Sequence, residues 1–178
     1  MDVVKVLDFG LVKEVADEAE SVDQGILGTP VYMSPEAIET PERTDVRSDI
    51  YSVGTVGYLL ITGTDVFTGT SLTELLFQQI HQPATPPAVR LGRPVDSDLA
   101  DVLLRCLEKK PDHRPQSVAE LARSLDQCQS AGTWTQADAR RWWANFEDAL
   151  PGHQRSVSAN RLPETISIDR EKRRTDGV

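Results

Sequence analysis

Cysteine is nearly absent: the 178-residue chain has two, Cys106 and Cys128. Their separation fits neither a metal-ligand spacing nor a disulfide framework, so a zinc module and a disulfide-stapled fold are excluded and both read as small buried residues. Positive charge is also scarce, with 19 Lys and Arg against 28 Asp and Glu and a net charge of -9. That balance argues against a polyanion-binding surface and removes nucleic acid as an expected partner. No apolar run approaches the ~18 residues of a membrane span. The most apolar window, Ile50 to Ile61, is interrupted by Ser52, Gly54, Thr55 and Gly57. The first residues carry Asp2, Lys5 and Asp8 among their apolar neighbours, too charged for a secretory signal. Together these absences lead to the expectation of a cytoplasmic protein.

What is there describes an ordinary globular chain, 39% hydrophobic and 26% charged. Its length suits one domain with a tail. Residues 3–7, Val-Val-Lys-Val-Leu, form a β-branched run that predicts a short strand. The acidic stretch from Glu14 to Asp23 lacks periodicity and reads as a solvated loop. From Asp49 to Gly63, the apolar residues Ile50, Val53, Val56, Leu59, Leu60 and Ile61 spread around most of a helical circumference, which predicts a helix buried on nearly all sides. Ser71 with Glu74 and Ser117 with Glu120 match the capping box, in which a hydroxyl and a carboxylate satisfy the first free amides of a helix.

Leu99, Val102, Leu103, Cys106 and Leu107 recur at helical spacing, as do Val118, Leu121, Ala122, Leu125 and Cys128; each set predicts a helix with one buried face. Lys110 to Pro115 reads as the turn between them. Thr135 and Asp138 predict another helix start, followed by Ala139, Trp142, Trp143, Phe146 and Leu150 on one stripe. An aromatic stripe of this kind serves either as a docking face against the body or as a peptide groove, and docking is the expectation. Residues 152–178 hold few large apolar side chains and are expected to be a disordered charged tail.

Four ordered motifs carry the chemistry: Asp8-Phe9-Gly10, then Gly28-Thr29-Pro30-Val31-Tyr32-Met33-Ser34-Pro35-Glu36, then Ser48-Asp49-Ile50-Tyr51-Ser52-Val53-Gly54, then Arg114-Pro115. A lone Asp-Phe-Gly would be weak, but the four in order are specific. In this arrangement the chain resembles the large, C-terminal lobe of a serine/threonine protein kinase, and its Trp-rich extension resembles those of some bacterial kinases. The resemblance implies a mainly α fold: a short N-terminal strand and activation loop followed by a helical bundle. Residues 1–130 would be a partial kinase domain, residues 131–151 the helical extension and residues 152–178 the tail.

The resemblance assigns roles residue by residue. Asp8 would bind the Mg²⁺ that bridges the ATP phosphates, because an anionic oxygen suits a hard cation. Phe9 would set the direction of that carboxylate, and Gly10 would supply the backbone freedom for its movement. Asp8, Phe9 and Gly10 are thus the expected ATP and Mg²⁺ contacts. Thr29 and Pro30 would receive a protein substrate in the form that favours Ser and Thr hydroxyls. Glu36 would pair with Arg114 in a bidentate structural contact. Asp49 would be a buried acceptor for the catalytic loop, left strained where that loop is missing. The helix preceding that loop is missing too, which would leave apolar surface around Val53 to Ile61 exposed and prone to association. Ser21, the only hydroxyl residue between Gly10 and Gly28, is the candidate regulatory phosphosite, or else an ordinary loop serine. The acidic neighbours Asp17, Glu18, Glu20 and Asp23 could take over part of the role of phosphate there.

No Gly-rich phosphate loop, ATP-anchoring lysine with its helix glutamate, or His-Arg-Asp loop occurs in these residues. The expectation is therefore a kinase fragment without a catalytic residue of its own, whose partners include the missing small lobe and catalytic loop as well as a protein substrate. The alternative is a non-catalytic docking or scaffold module built on the same lobe.

Overall fold

A 17-residue helix, α2 (Val46–Thr62), is the axis on which the other elements pack. The computed structural model describes residues 26–149 and 166–168. The strand expected over residues 3–7, the acidic loop, Asp8 to Gly10 and Ser21 lie outside the described residues. Helix α2 begins where the Asp45 carboxylate accepts the Arg47 amide at 2.8 Å, and it stops at Gly63, whose φ of 71° is a left-handed turn.

The other helices are α1 (Pro35–Glu39), α3 (Leu72–His81), α4 (Pro87–Leu91), α5 (Ser97–Cys106), α6 (Val118–Asp126) and α7 (Gln136–Ala149). The fold is mainly α, as the sequence led us to expect. Ser71 and Ser117 cap α3 and α6, accepting the amides of Glu74 and Glu120, each at 3.1 Å. Each glutamate then reaches one residue further back than the capping box requires, to the amide of Thr70 or Gln116, both at 2.8 Å. Thr135 and Asp138 form a reciprocal cap at the start of α7. The turn between α5 and α6 is a 3-10 turn, Pro111–His113.

Three apolar clusters fill the interior. Tyr51, Tyr58, Val66, Phe67 and Leu107 form one; Met33, Ile38 and Leu76 join α1 to α3; Ile50, Cys106 and Leu121 join α2, α5 and α6. Two glycines let α5 approach α2 closely. A Cβ on Gly54 would lie 2.7 Å from the Cys106 Cβ, and one on Gly57 would lie 2.5 Å from a Leu103 methyl. The glycines that break up the apolar window therefore serve helix packing. Cys106 and Cys128 are both buried and free.

Two expectations need correction. Helix α2 is not buried all round: Ile50, Tyr51, Gly54, Thr55 and Tyr58 face inward, while Val53, Val56 and Leu60 are exposed, Leu60 to 80%. The described neighbours α4, α5 and α6 occupy the other side, so apolarity around the helix overstates its cover. The aromatic stripe of α7 is only half covered at its tryptophans. Ala139 is buried, whereas Trp142 and Trp143 keep about half of their surface exposed and pack edge to face on each other at 4.8 Å. Phe146 and Leu150 fall outside the described side chains.

Of the stretch expected to be a tail, residues 166–168 are described: Ile166–Ile168 is a strand, β2, paired antiparallel with β1 (Ile26–Gly28) in the register Ile26 to Ile168, Leu27 to Ser167 and Gly28 to Ile166.

Candidate functional site

The segment from Thr29 to Glu36 is bent by its prolines. Pro30 opens a 3-10 turn, Pro30–Tyr32, closed by the Tyr32 amide on the Thr29 carbonyl at 3.0 Å and the Met33 amide on the Pro30 carbonyl at 3.2 Å. Pro35 then starts α1, where its missing N–H costs nothing, and the Ser34 hydroxyl accepts the Ala37 amide at 3.3 Å. Ser34 therefore caps the helix that carries Glu36.

Side chains from distant elements hold the bent segment in place. The Ser52 hydroxyl, on α2, donates to the Tyr32 carbonyl at 2.9 Å. Gln79, fully buried on α3, donates through Nε2 to the Val31 carbonyl at 2.8 Å and the Pro30 carbonyl at 3.2 Å, and its Oε1 accepts the Tyr51 hydroxyl at 2.5 Å. Met33 drives into the apolar cluster with Ile38 and Leu76. One amide thus serves the Val31 carbonyl and adds a second bond to the Pro30 carbonyl, which already accepts the Met33 amide. The sequence reading missed Gln79, because a glutamine inside a helix looks like a solvated residue. The only hint was its place among apolar neighbours on α3.

Arg114 anchors the segment's end. Its guanidinium is 0% exposed and donates to both carboxylate oxygens of Glu36, Nη1 to Oε1 at 2.7 Å and Nη2 to Oε2 at 2.8 Å. Three backbone carbonyls take the rest: Arg47 at 2.9 Å, Glu108 at 2.7 Å and Lys109 at 3.0 Å. Ser48 adds a hydrogen bond to Glu36 at 2.5 Å. Burial by itself pushes the Glu36 carboxyl up, but the hydrogen bonds from Arg114 and Ser48, with the charge of Arg114, outweigh it and hold the group at about 2. The Tyr51 ring lies 4.9 Å beneath the guanidinium.

Lys109 is a second cation that the sequence reading did not single out. Its Nζ donates to the Gln79 carbonyl at 2.7 Å and lies 4.3 Å from the Phe67 ring centre. Burial, reinforced by Arg114 nearby, lowers its pKa to about 8. It borders a small cleft lined by Pro83, Ala84, Leu104, Leu107 and Glu108.

The other expected site residues fall as follows. Thr29 and Pro30 sit at the entry to the 3-10 turn, Pro30 buried and Thr29 half-buried. Asp49 is exposed on the first turn of α2, so the strain expected of a buried carboxylate is not present. Asp8, Phe9, Gly10 and Ser21 are outside the described residues. Among the described residues no cluster of His, Cys, Asp or Glu could hold a metal ion, and no helix is long and apolar enough to cross a membrane.

A proline-bent segment is thus clamped to a helical body by a buried Glu-Arg pair. Comparison with known proteins gives the class: the family model described as "Protein kinase domain" matches residues 1–125. The chain is 39% identical over 124 residues to serine/threonine-protein kinase PknB of Mycobacterium tuberculosis (strain ATCC 25618 / H37Rv), covering 68% of this chain and 20% of that protein. It is 40% identical over 124 residues to PknB of Mycolicibacterium smegmatis, with the same shares covered. Against serine/threonine-protein kinase A of Synechocystis it is 35% identical over 125 residues, 70% of this chain and 24% of that protein. The chain belongs to the protein kinase family, in its bacterial serine/threonine branch. It spans about a fifth of the length of the PknB relatives it matches.

Proposed function

We propose that these residues are the substrate-binding part of a serine/threonine protein kinase that transfers the γ-phosphoryl of ATP to protein Ser and Thr hydroxyls. The observation that carries the reading is the clamped segment: Gln79, Ser52 and the Glu36–Arg114 pair hold Thr29 to Tyr32 in one conformation. Phosphoryl transfer depends on positioning and electrostatics rather than on covalent chemistry by the protein, so a rigid rest for the acceptor peptide is a direct contribution to rate. ATP and Mg²⁺ supply the transferred group and neutralise its charge. Asp8 is the residue we assign to the metal, with Phe9 and Gly10 setting its approach, and Thr29 and Pro30 are assigned to the acceptor peptide.

On this reading a polypeptide of only these 178 residues lacks the phosphate loop and the catalytic base, and does not turn over by itself. The test joins this chain to the small lobe and catalytic loop of a related bacterial kinase and assays it with Mg²⁺-ATP and a generic protein substrate. Metal-dependent phosphorylation by the joined protein, and none by the chain alone, is expected. No transfer by a folded joined protein overturns the reading. The exposed row Val53, Val56 and Leu60 on α2 favours a second reading, in which the lobe acts as a docking module through that surface. Equal substrate binding by the chain alone and by the joined protein, without turnover by either, would select it.

A further inference from the structure

The strand β1 runs directly into Thr29 and Pro30, and the element paired with it comes from near the other end of the sequence. An edge strand presents unmatched N–H and C=O groups, which an extended peptide can pair with whatever its side chains. Here the occupant is Ile166-Ser167-Ile168, a hydroxyl residue between two β-branched ones, with Ser167 at the central register position opposite Leu27. An extended backbone with a central Ser or Thr hydroxyl is also the chemistry of an acceptor peptide for the function proposed above. The last pairing position, Gly28 with Ile166, adjoins Thr29 in the chain, so an occupant of this edge lies next to the peptide-receiving turn.

We propose that Ile166–Ile168 is a tethered competitor: the chain's own tail occupies the β1 edge beside Thr29 and must leave before an acceptor peptide can pair there. This rests on the reading of Thr29 and Pro30 as the peptide-receiving turn. Two properties suit the tail to that role. Tethering raises its effective concentration at the edge to the order of millimolar, well above that of most free peptides. The pairing spans only three residues on each strand, and so short a two-stranded ladder is marginal by itself, which keeps the exchange reversible.

The test uses the whole chain and a Ser167→Pro/Ile168→Pro variant. Bonded and non-bonded pairs alternate along an antiparallel ladder, so adjacent prolines remove a donor in either phase. Amide exchange at Ile26 to Gly28 is measured in both proteins, alongside binding of a fluorescent synthetic peptide with the sequence of residues 161–172. The expected result is faster exchange at β1 in the variant and at least tenfold tighter peptide binding, with an unchanged thermal melt reporting that the helical body is intact. Equal exchange in the two proteins, or equal peptide affinity, overturns the proposal. Neither measurement requires phosphoryl transfer. A joined protein that transfers no phosphate would therefore overturn the kinase reading while leaving the strand result standing.

Discussion

Arg114 uses every N–H of its guanidinium, two on Glu36 and three on backbone carbonyls, and so ties the end of the Thr29–Glu36 segment to the turn before α6. Removing one member leaves the other charged and unpaired in the interior. Arg114→Ala and Glu36→Ala should each destabilise the fold by about 3–5 kcal/mol, read from urea midpoints. Arg114→Lys should recover little, because an ammonium cannot make the two parallel bonds. A midpoint within error of the parent protein in any of the three would contradict the anchoring role.

The same pair sets an acid limit. The Glu36 carboxyl sits at about 2 when folded, against 4.5 for an unperturbed glutamate, so its contribution is fully present above pH 4.5 and declines as pH falls towards 2. The shift corresponds to roughly 3 kcal/mol. Stability followed by chemical denaturation between pH 6 and pH 2 should fall through this window. Glu36→Gln should flatten that part of the curve, and an unchanged slope would show that other carboxylates dominate.

Lys109 acts in the opposite range. Its folded pKa of about 8 lies below the ordinary 10.5, so the folded state bears the cost of a desolvated charge below pH 8 and is relieved of it as pH rises to 10.5. Stability should therefore rise across that interval in the parent protein. Lys109→Met should lose the rise, and a parallel pH profile for the variant would assign it to another group.

Gln79 should matter out of proportion to its size. Gln79→Leu leaves the Val31 carbonyl without this partner and the Tyr51 O–H without its acceptor, each worth about 1–3 kcal/mol if left unsatisfied and buried, while the Pro30 carbonyl keeps the Met33 amide. The expected outcome is a lower urea midpoint together with faster amide exchange at Tyr32 and Met33. Loss of stability without faster exchange there would place the effect in the core rather than in the segment.

The two α2 glycines should rank by what they meet. Alanine at Gly54 would press on the Cys106 Cβ, fixed to its backbone, whereas at Gly57 it meets the end of the Leu103 side chain, which can turn. Gly54→Ala should cost about 1–3 kcal/mol by overpacking. Gly57→Ala should cost less, because removing a helical glycine returns about 0.5–1 kcal/mol. The reverse order in thermal melts would contradict the packing of α5 on α2.

Much of this was legible beforehand where a motif has one physical solution. Glu36 and Arg114 were matched through the kinase resemblance that their motifs carry, and Ser71, Ser117 and Thr135 marked three helix starts because a cap depends on local geometry. Gln79 and Lys109 were not legible, since their partners are backbone carbonyls, which leave no trace in residue identity. Asp49 was misread as buried. For Val53 and Leu60 periodicity alone pointed to burial while the missing preceding helix pointed to exposure, because periodicity says which face is apolar but not whether anything lies against it. The β1 and β2 pairing escaped because three-residue strands carry too short a pattern to separate from loop.

Glu36 and Arg114 are 78 residues apart. During synthesis, at roughly 5–20 residues per second, Glu36 waits roughly 4–16 seconds for its counterion to be made. Until then α1 is capped by Ser34 and can pack on α3 through Ile38, but its Glu36 has only Ser48 as a side-chain partner. The closing contact of this fold is a late event in the life of the nascent chain, and a polypeptide cut short before Arg114 keeps an acidic side chain without its counterion.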